Sequence, residues 1–228
     1  MQMDLGETPG VLEFTGPDAV RFLNGQVTQD VRLVMGGTKV LPSCVTDAKG
    51  KLQFRIWLAG AGPEAVVVFC QEGAAEDLEA RLTRYLIADD VEVKDRTREI
   101  STRDFDFPDT LDEEARIKAG FPKWGAELKE GMLPPEAGLD TTDISYNKGC
   151  YIGQEVISRI KSAGKVNRTL TKLNFEAEVT PGEILNGEGK VCGEVTSVSG
   201  NIGLGYLKRN VDGSGELLRD GVVVTIRG

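Results

Sequence analysis

The character of the chain changes after Arg168, and this change is the strongest constraint on its fold. The remaining sequence consists of short apolar-rich segments separated by glycine-rich turns, namely TLTKLNFEAEV, GKVCGEVTSVSG, IGLGYLKRN and VVVTIRG. Short strands at such spacing are typical of a small antiparallel barrel or sandwich. We therefore predict a C-terminal β domain over residues 171–228, which follows a larger region over residues 1–170.

The region before this change alternates strand-like and helix-like segments. A strand over residues 11–14 precedes a helix that is expected to have Thr15 as its cap and Gly25 at its end. The run EAVVVFC predicts a strand buried on both faces, and apolar spacing predicts a helix over residues 74–87. The alternation favours a mixed sheet with helices packed on it. The acid-rich residues 101–115 are expected to be a connector.

Charge and composition limit the chemistry that the chain can perform. Its 27 Lys and Arg against 36 Asp and Glu give a net charge of −9, which disfavours general affinity for nucleic acid or membrane surfaces. No histidine is present, so Cys–His or Ser–His pairs and His-ligated metals are excluded. No apolar run is long enough to span a membrane, and the acidic N-terminus does not resemble a signal peptide. We therefore expect a cytoplasmic protein.

Positive charge is nevertheless concentrated in one stretch. Between residues 148 and 172 a single acid, Glu155, is outnumbered by six cations, which are Lys148, Arg159, Lys161, Lys165, Arg168 and Lys172. This stretch is either an ordinary solvated surface or a docking surface for an anionic ligand or an acidic partner. The sequence leaves both interpretations open.

The segment NKGCYIGQEVISR, residues 147–159, places a cysteine just before a predicted helix. Gly149 and Gly153 allow the backbone to turn on both sides of Cys150. The helix N-terminus and Lys148 both favour the thiolate, the form of cysteine that reacts with electrophiles or binds metal. The alternative is a small buried thiol in a tight turn.

The other three cysteines have a different setting. They lie in apolar strand patterns and are predicted to belong to the core: Cys44, Cys70 and Cys192. None of the four cysteines forms a CxxC pair, so no metal site is predicted within the chain.

The cysteine segment also resembles the Lys-Gly-Cys-Tyr-x-Gly-Gln-Glu signature of the YgfZ family, which is related to the aminomethyltransferase (T-protein) of the glycine cleavage system. The signature positions are Lys148, Gly149, Cys150, Tyr151, Gly153, Gln154 and Glu155. Further segments resemble the family in the same order: GPDAVRFLNGQVTQDV, DAKGKL, RIKAGFPKWG and PPEAGL. The resemblance covers most of residues 10–170.

The resemblance implies an α+β fold. It would be an aminomethyltransferase-like cloverleaf of mixed α/β subdomains around a central hole, with a small C-terminal β-barrel. The stretch between VEVKDR and RIKAGFP is shorter than is usual in the family, which implies a reduced second subdomain.

The resemblance also implies a function. Family members bind folate and support the assembly or repair of iron–sulfur enzymes, including one that modifies transfer RNA. It implies a monomeric, largely non-catalytic factor that binds tetrahydrofolate or a one-carbon derivative, acts on iron–sulfur clients and uses Cys150 as its reactive thiol. Two alternatives are a folate-dependent aminomethyl or one-carbon transferase, with Asp77 as its catalytic carboxylate, and a folate-free interaction module. Asp77 is otherwise a solvent-facing acid on a helix.

The implied folate site depends on a carboxylate, because a pterin ring offers adjacent N–H donors. Where T-proteins carry this glutamate the chain has Lys118, so either Glu136 takes over or folate binds differently or weakly. Lys118 also supports the folate-free alternative. The candidate cofactor-binding residues are Glu136, Arg116, Tyr85, Lys148, Tyr151, Gln154 and Glu155.

Overall fold

The computed structural model describes residues 5–211 and 215–227, and these form two compact units. The first, here the sheet unit, combines residues 5–108 with Leu139–Ser162. The second, the barrel unit, combines residues 109–138 with the described part of 163–227. The barrel unit thus begins before the predicted boundary at residue 170, since its strand Arg168–Phe175 starts earlier, and it also includes residues 109–138, which pack on strands of the barrel.

The sheet unit contains one five-stranded sheet and three helices. The strands are β1 Gly10–Thr15, β2 Val40–Thr46, β3 Leu52–Gly60, β4 Ala65–Cys70 and β5 Glu92–Asp95. The helices are α1 Ala19–Gln26, α2 Ala75–Thr83 and, after the barrel unit's α3 Glu113–Ala119, α4 Gln154–Ala163.

The strand order is β2-β3-β4-β1-β5, and every neighbouring pair is antiparallel. The expectation of a mixed sheet was therefore wrong. Antiparallel neighbours need only short connections, and the sequence supplies them: a turn at Asp47–Gly50 joins β2 to β3, and residues 61–64 join β3 to β4.

Strand β4 is buried on both faces, as its continuous apolar sequence predicted. Val66 and Val68 belong to the core cluster that includes residues of α1 and α2. Val67 and Phe69 belong to a second cluster on the opposite face.

The predicted connector over residues 101–115 contributes to this second cluster. The rings of Phe105 and Phe107 lie 5.4 and 5.0 Å from the Phe69 ring, both edge-on. The acidic composition of this stretch favoured a simple connector, but two of its aromatic side chains pack on the sheet.

Two helix boundaries differ from those predicted. Helix α1 begins at Ala19 with Asp18 at the N-cap position, because Thr15 is still paired with Ala65 in the sheet. Helix α2 ends at Thr83 rather than at residue 87. A turn in which the Leu86 N–H donates to the Thr83 carbonyl follows it.

The barrel unit confirms the predicted C-terminal β-barrel. Six strands close in the order β10-β11-β6-β9-β8-β7, and they are β6 Arg168–Phe175, β7 Gly182–Asn186, β8 Val191–Ser199, β9 Ile202–Lys208, β10 Leu217–Arg219 and β11 Val222–Ile226. Its core includes Leu173, Ile184 and Leu207, and α3 packs on β8 and β9. Within the described residues, none of the helices is both long and apolar enough to cross a membrane.

Candidate functional site

Cys150 differs from the other three cysteines in being exposed. Cys44, Cys70 and Cys192 are buried, which confirms their prediction as core residues. Burial raises the pKa of the Cys70 thiol to about 12 and also raises the pKa values of Cys44 and Cys192. Only the Cys150 thiol is therefore open to a reagent or a partner in the folded chain.

On the N-terminal side of Cys150, Lys148 anchors the loop. Lys148 is 8% exposed, and its Nζ donates to the carbonyls of Asn24, Val27 and Gln29 at 2.7, 2.8 and 2.8 Å. These carbonyls lie at and just beyond the C-terminal end of α1, where a cation is favoured by the helix dipole. Burial lowers the pKa of Lys148 to about 7.

The predicted influence of Lys148 on the thiol is not supported by a contact. An ammonium group has three N–H donors, and all three are used on these carbonyls. The Tyr151 ring covers the same ammonium, with its centroid 5.2 Å from Nζ.

On the C-terminal side of Cys150, contacts with α1 and with the β2–β3 hairpin fix Ile152 and Gly153. The Ile152 N–H donates to the Gly25 carbonyl at 3.3 Å, and the Ile152 carbonyl accepts from the Thr46 hydroxyl at 2.7 Å. Gly153 has φ of 88°, and a Cβ there would lie 2.5 Å from the carbonyl oxygen of Asp47. Only glycine fits such a position without strain.

Helix α4 starts against the same β2–β3 turn. A Cβ at Gly50, which has φ of 72°, would lie 3.2 Å from atoms of both Val156 and Ile157. The carboxylate of Asp47 stabilises the turn by accepting from the backbone N–H groups of Lys49 and Lys51. The predicted helix after Gly153 is confirmed.

A buried polar network attaches the segment that precedes the loop to strand β3 and to Thr28. The sequence did not reveal this network. Asp143 is fully buried and accepts from Arg55 Nε of β3 at 2.7 Å, and its carbonyl accepts from the Thr28 hydroxyl at 2.7 Å. Asp143 lies in the polar segment DTTDISYN. The only signal in the sequence was Arg55, which stands between the apolar residues Phe54 and Ile56 of β3.

The other candidate residues of the sheet unit are in varied settings. Asp77 is exposed on α2, in keeping with a solvent-facing acid. Tyr85 is 45% exposed, and its ring lies against the guanidinium of Arg81. Gln154 is half-buried. Glu155 is exposed and pairs with Arg159 at 2.6 Å.

Tyr151 is buried, and among the described residues its hydroxyl has no hydrogen-bond partner. Burial raises the pKa of this hydroxyl, so the phenol remains protonated at neutral pH.

The remaining two candidates, Arg116 and Glu136, lie in the barrel unit. Arg116 is fully buried, and its five N–H donors are all used by four partners: Glu113, Phe121, Glu127 and Ser197. Glu136 is 7% exposed and accepts from Arg168 Nε at 3.0 Å.

These residues fit a folate ligand only in part. Glu136 has the acceptor chemistry that a pterin requires, whereas Arg116 and Lys148 would have to give up an internal hydrogen bond to contact any ligand. Lys118 is exposed and pairs with Glu114 on the same helix.

The cations of residues 148–172 divide between the two units, and most have local partners. Lys148 is bound to carbonyls, Arg159 to Glu155 and Arg168 to Glu136, while Lys161 lies 3.8 Å from Asp140. The structure thus favours local interactions over a common docking surface. Where the structure describes the chain, no three Cys, Asp or Glu side chains come together as a metal site.

Comparison with known proteins supports the resemblance of the cysteine segment. The family of CAF17 C-terminal β-barrel domains matches residues 167–227. The tRNA-modifying protein YgfZ of Serratia proteamaculans is 28% identical over 234 residues, which cover 75% of this chain and 70% of that protein. These matches support the YgfZ-type family that the cysteine segment predicted.

Other relatives match the chain over shorter stretches. The human mitochondrial iron–sulfur cluster assembly factor IBA57 is 33% identical over 100 residues, which cover 40% of this chain and 28% of that protein. An Arabidopsis thaliana chloroplast protein, named only as a candidate transferase, is 37% identical over 115 residues, or 48% of this chain and 26% of that protein. The matched stretches thus span only about a quarter of these two relatives.

The fold of the chain is similar to that of an aminomethyltransferase. The crystal structure of glycine cleavage system aminomethyltransferase T from Bartonella henselae superposes with a TM-score of 0.77 at 13% identity. The superposition covers 97% of this chain and 83% of that one. Together with the closed barrel, it confirms the predicted fold class.

Proposed function

We propose that this YgfZ-type protein supports the assembly of iron–sulfur proteins, and through them tRNA modification, by presenting the thiol of Cys150 to a client. The names of its human and Serratia proteamaculans relatives support the two parts of this role. The observation that carries it is the setting of Cys150, which is exposed while the residues on both sides are fixed.

The chemistry of a single thiol defines what this site does. A cysteine thiolate is a soft ligand of the kind that iron–sulfur clusters require. Cys150 supplies one such ligand, so the other ligands of any cluster it contacts come from the client. An exposed thiol on a fixed loop suits this shared coordination, whereas a buried thiol does not.

The proposed small-molecule ligand is tetrahydrofolate or a one-carbon derivative. Glu136 would hold it by accepting hydrogen bonds from pterin N–H groups, and the ligand would supply a one-carbon unit or a structural support. Arg116 and Lys148 are left out of this site because their donors are used internally.

Thiol labelling and maturation of an iron–sulfur client test the role of Cys150. A native alkylation experiment should modify one of the four thiols, identified as Cys150 by peptide mapping. Cys150→Ser should abolish client maturation and leave the melting temperature nearly unchanged. Cys192→Ser is the matched control, because a serine can still donate to the Ile184 carbonyl that the Cys192 thiol contacts. Full activity of Cys150→Ser would contradict the proposal.

Calorimetric titration with tetrahydrofolate tests the ligand separately. Glu136→Gln should weaken binding, since an amide replaces one acceptor oxygen with a donor. Arg168→Met breaks the same ion pair but keeps the carboxylate, so it should retain binding. Absence of binding to the unaltered protein would favour the folate-free module.

Asp77 distinguishes the transferase alternative. Because Asp77 is exposed on α2, we expect Asp77→Asn to leave client maturation unchanged. A loss of folate-dependent aminomethyl transfer in that variant would instead favour a transferase.

A further inference from the structure

Lys148 is a buried cation that forms no ion pair within the described part of the chain. Its ammonium is surrounded by three carbonyl oxygens and one aromatic ring. The charged groups that act on it most strongly are Asp30 and Arg32, with opposite effects on its pKa. A buried charge is costly unless its hydrogen-bonding capacity is satisfied, and here three short hydrogen bonds satisfy it.

The geometry of these bonds requires a lysine. An ammonium on a flexible stem can direct three N–H groups at carbonyls that converge from Asn24, Val27 and Gln29. A guanidinium is planar and presents its donors as a rigid fork. Methionine has a similar length but no donor. Neither can bind the end of α1 in the same way.

This anchor lies two residues before Cys150. The same two-residue spacing occurs on the other side, where Ile152 is held by Thr46 and Gly25 two residues after the cysteine. Gly149, between the anchor and the cysteine, has no other atoms within 4 Å of where its Cβ would be. The loop therefore touches the sheet unit through its flanks, while its tip carries the exposed thiol.

We propose that Lys148 is a positioning residue for Cys150, which holds the loop in the conformation that exposes the thiol. It acts by binding the end of α1 and not by stabilising the thiolate through its charge. This role rests on the proposed function, which it deepens by naming a residue that Cys150 depends on.

A nitroxide spin label on Cys150 measures this role directly. Because the other three cysteines are buried, the label reports the loop alone in electron paramagnetic resonance spectra. Lys148→Met should remove most of the immobilised component of the spectrum, and Lys148→Arg should remove part of it. Lys161→Met is the matched control, since Lys161 is an exposed lysine of the same unit that also lies over a tyrosine ring. Its spectrum should match that of the unaltered protein.

The pH dependence of alkylation separates positioning from charge. Positioning predicts that the thiol pKa, read from the alkylation rate, is nearly the same in Lys148→Met and the unaltered protein. A clear upward shift of that pKa in Lys148→Met but not in Lys148→Arg, with unchanged label mobility, would overturn the proposal. A lower melting temperature with an unchanged spectrum would also overturn it, because Lys148 would then serve stability alone.

Thr46→Val provides a second variant if Lys148→Met does not fold. It is nearly isosteric and removes the hydroxyl that holds the Ile152 carbonyl, so it should mobilise the label to a smaller extent. An unchanged spectrum in this variant would contradict the two-sided attachment of the loop.

The function of the site is tested in parallel. Client maturation should fall by on the order of tenfold or more in Lys148→Met, the scale on which supporting residues affect a reactive centre. If Cys150→Ser still matures the client, the proposed function fails, whereas the spectra still decide whether Lys148 fixes the loop.

Discussion

Lys148 of the sheet unit and Arg116 of the barrel unit are both long buried cations, and they are compensated differently. Lys148 in the sheet unit binds three backbone carbonyls. Arg116 in the barrel unit binds two carboxylates, those of Glu113 and Glu127, in addition to a hydroxyl and a carbonyl. All donors of both cations are used, so neither is available to a ligand without a rearrangement.

The difference lies in what each cation fixes. Carbonyl partners belong to the backbone, so Lys148 fixes the path of a loop whose next residues include an exposed thiol. Arg116 joins side chains of α3, the loop that follows it and strand β8. The ion pairs of Arg116 therefore stabilise the scaffold of the barrel unit, whereas the carbonyl contacts of Lys148 determine the path of the reactive loop in the sheet unit.

Removal of Arg116 should have the largest effect on stability. Arg116→Met leaves the carboxylate of Glu127, which is 1% exposed, buried without its ion pair. The breaking of a buried pair in this way typically costs about 3–5 kcal/mol of unfolding free energy. Denaturant unfolding followed by circular dichroism measures the change.

Lys118→Met is the matched control on the same helix. Lys118 is exposed and pairs with Glu114, so its loss should cost less than about 1 kcal/mol. Equal effects of the two variants would mean that the Arg116 network contributes no more than a surface pair.

Substitution of Gly153 should have an intermediate effect and should act on the loop. Gly153→Ala places a Cβ 2.5 Å from the Asp47 carbonyl at φ of 88°, and the strained φ alone costs about 1–3 kcal/mol. The spin label on Cys150 should become more mobile as the loop moves away from the β2–β3 turn. Gly149→Ala, in the same loop with open space around it, should change neither stability nor mobility appreciably. Similar behaviour of the two alanine variants would show that the loop is not held at Gly153.

The sequence predicted those parts of the fold that depend on local pattern. The apolar run of β4, the glycine-punctuated barrel strands and the helix after Gly153 could each be recognised from neighbouring residues. The antiparallel order of the sheet and the inclusion of residues 109–138 in the barrel unit depend on contacts between distant segments. No local pattern carries that information.

The candidate site shows the same division. The glycines that flank Cys150 distinguished it from the other three cysteines in the sequence, and in the structure its thiol is exposed. The partners of Lys148 lie more than 100 residues earlier in the chain, so its proximity to the cysteine suggested an electrostatic role instead. The family resemblance likewise assigned Arg116 to a ligand. Its actual partner, the carboxylate of Glu127, could not be identified without the structure.

Mild acid should cause the smallest change in stability. It should weaken the ion pairing of Arg116 and leave the hydrogen bonds of Lys148 unchanged. Hydrogen bonds from Arg116 lower the pKa of Glu113, so the unfolded chain binds more protons than the folded chain as pH falls through the ordinary range of a glutamate. The stability that Glu113 contributes is thus present at neutral pH and is lost in acid. Because the Glu113 side chain is 50% exposed, solvent limits this contribution to about 0.5 kcal/mol.

The measurement compares the unaltered protein with Glu113→Gln between about pH 6 and pH 4, near the pKa of a free glutamate. The difference in their unfolding free energies should shrink as pH falls. Lys148 has no carboxylate among its hydrogen-bond partners, and with a pKa of about 7 it stays protonated in this window. The spectrum of the label on Cys150 should therefore remain constant while the barrel unit loses stability. A label that becomes mobile over the same pH range would mean that an acidic group also supports the loop, and Asp30, whose charge acts on Lys148, would be the first to substitute.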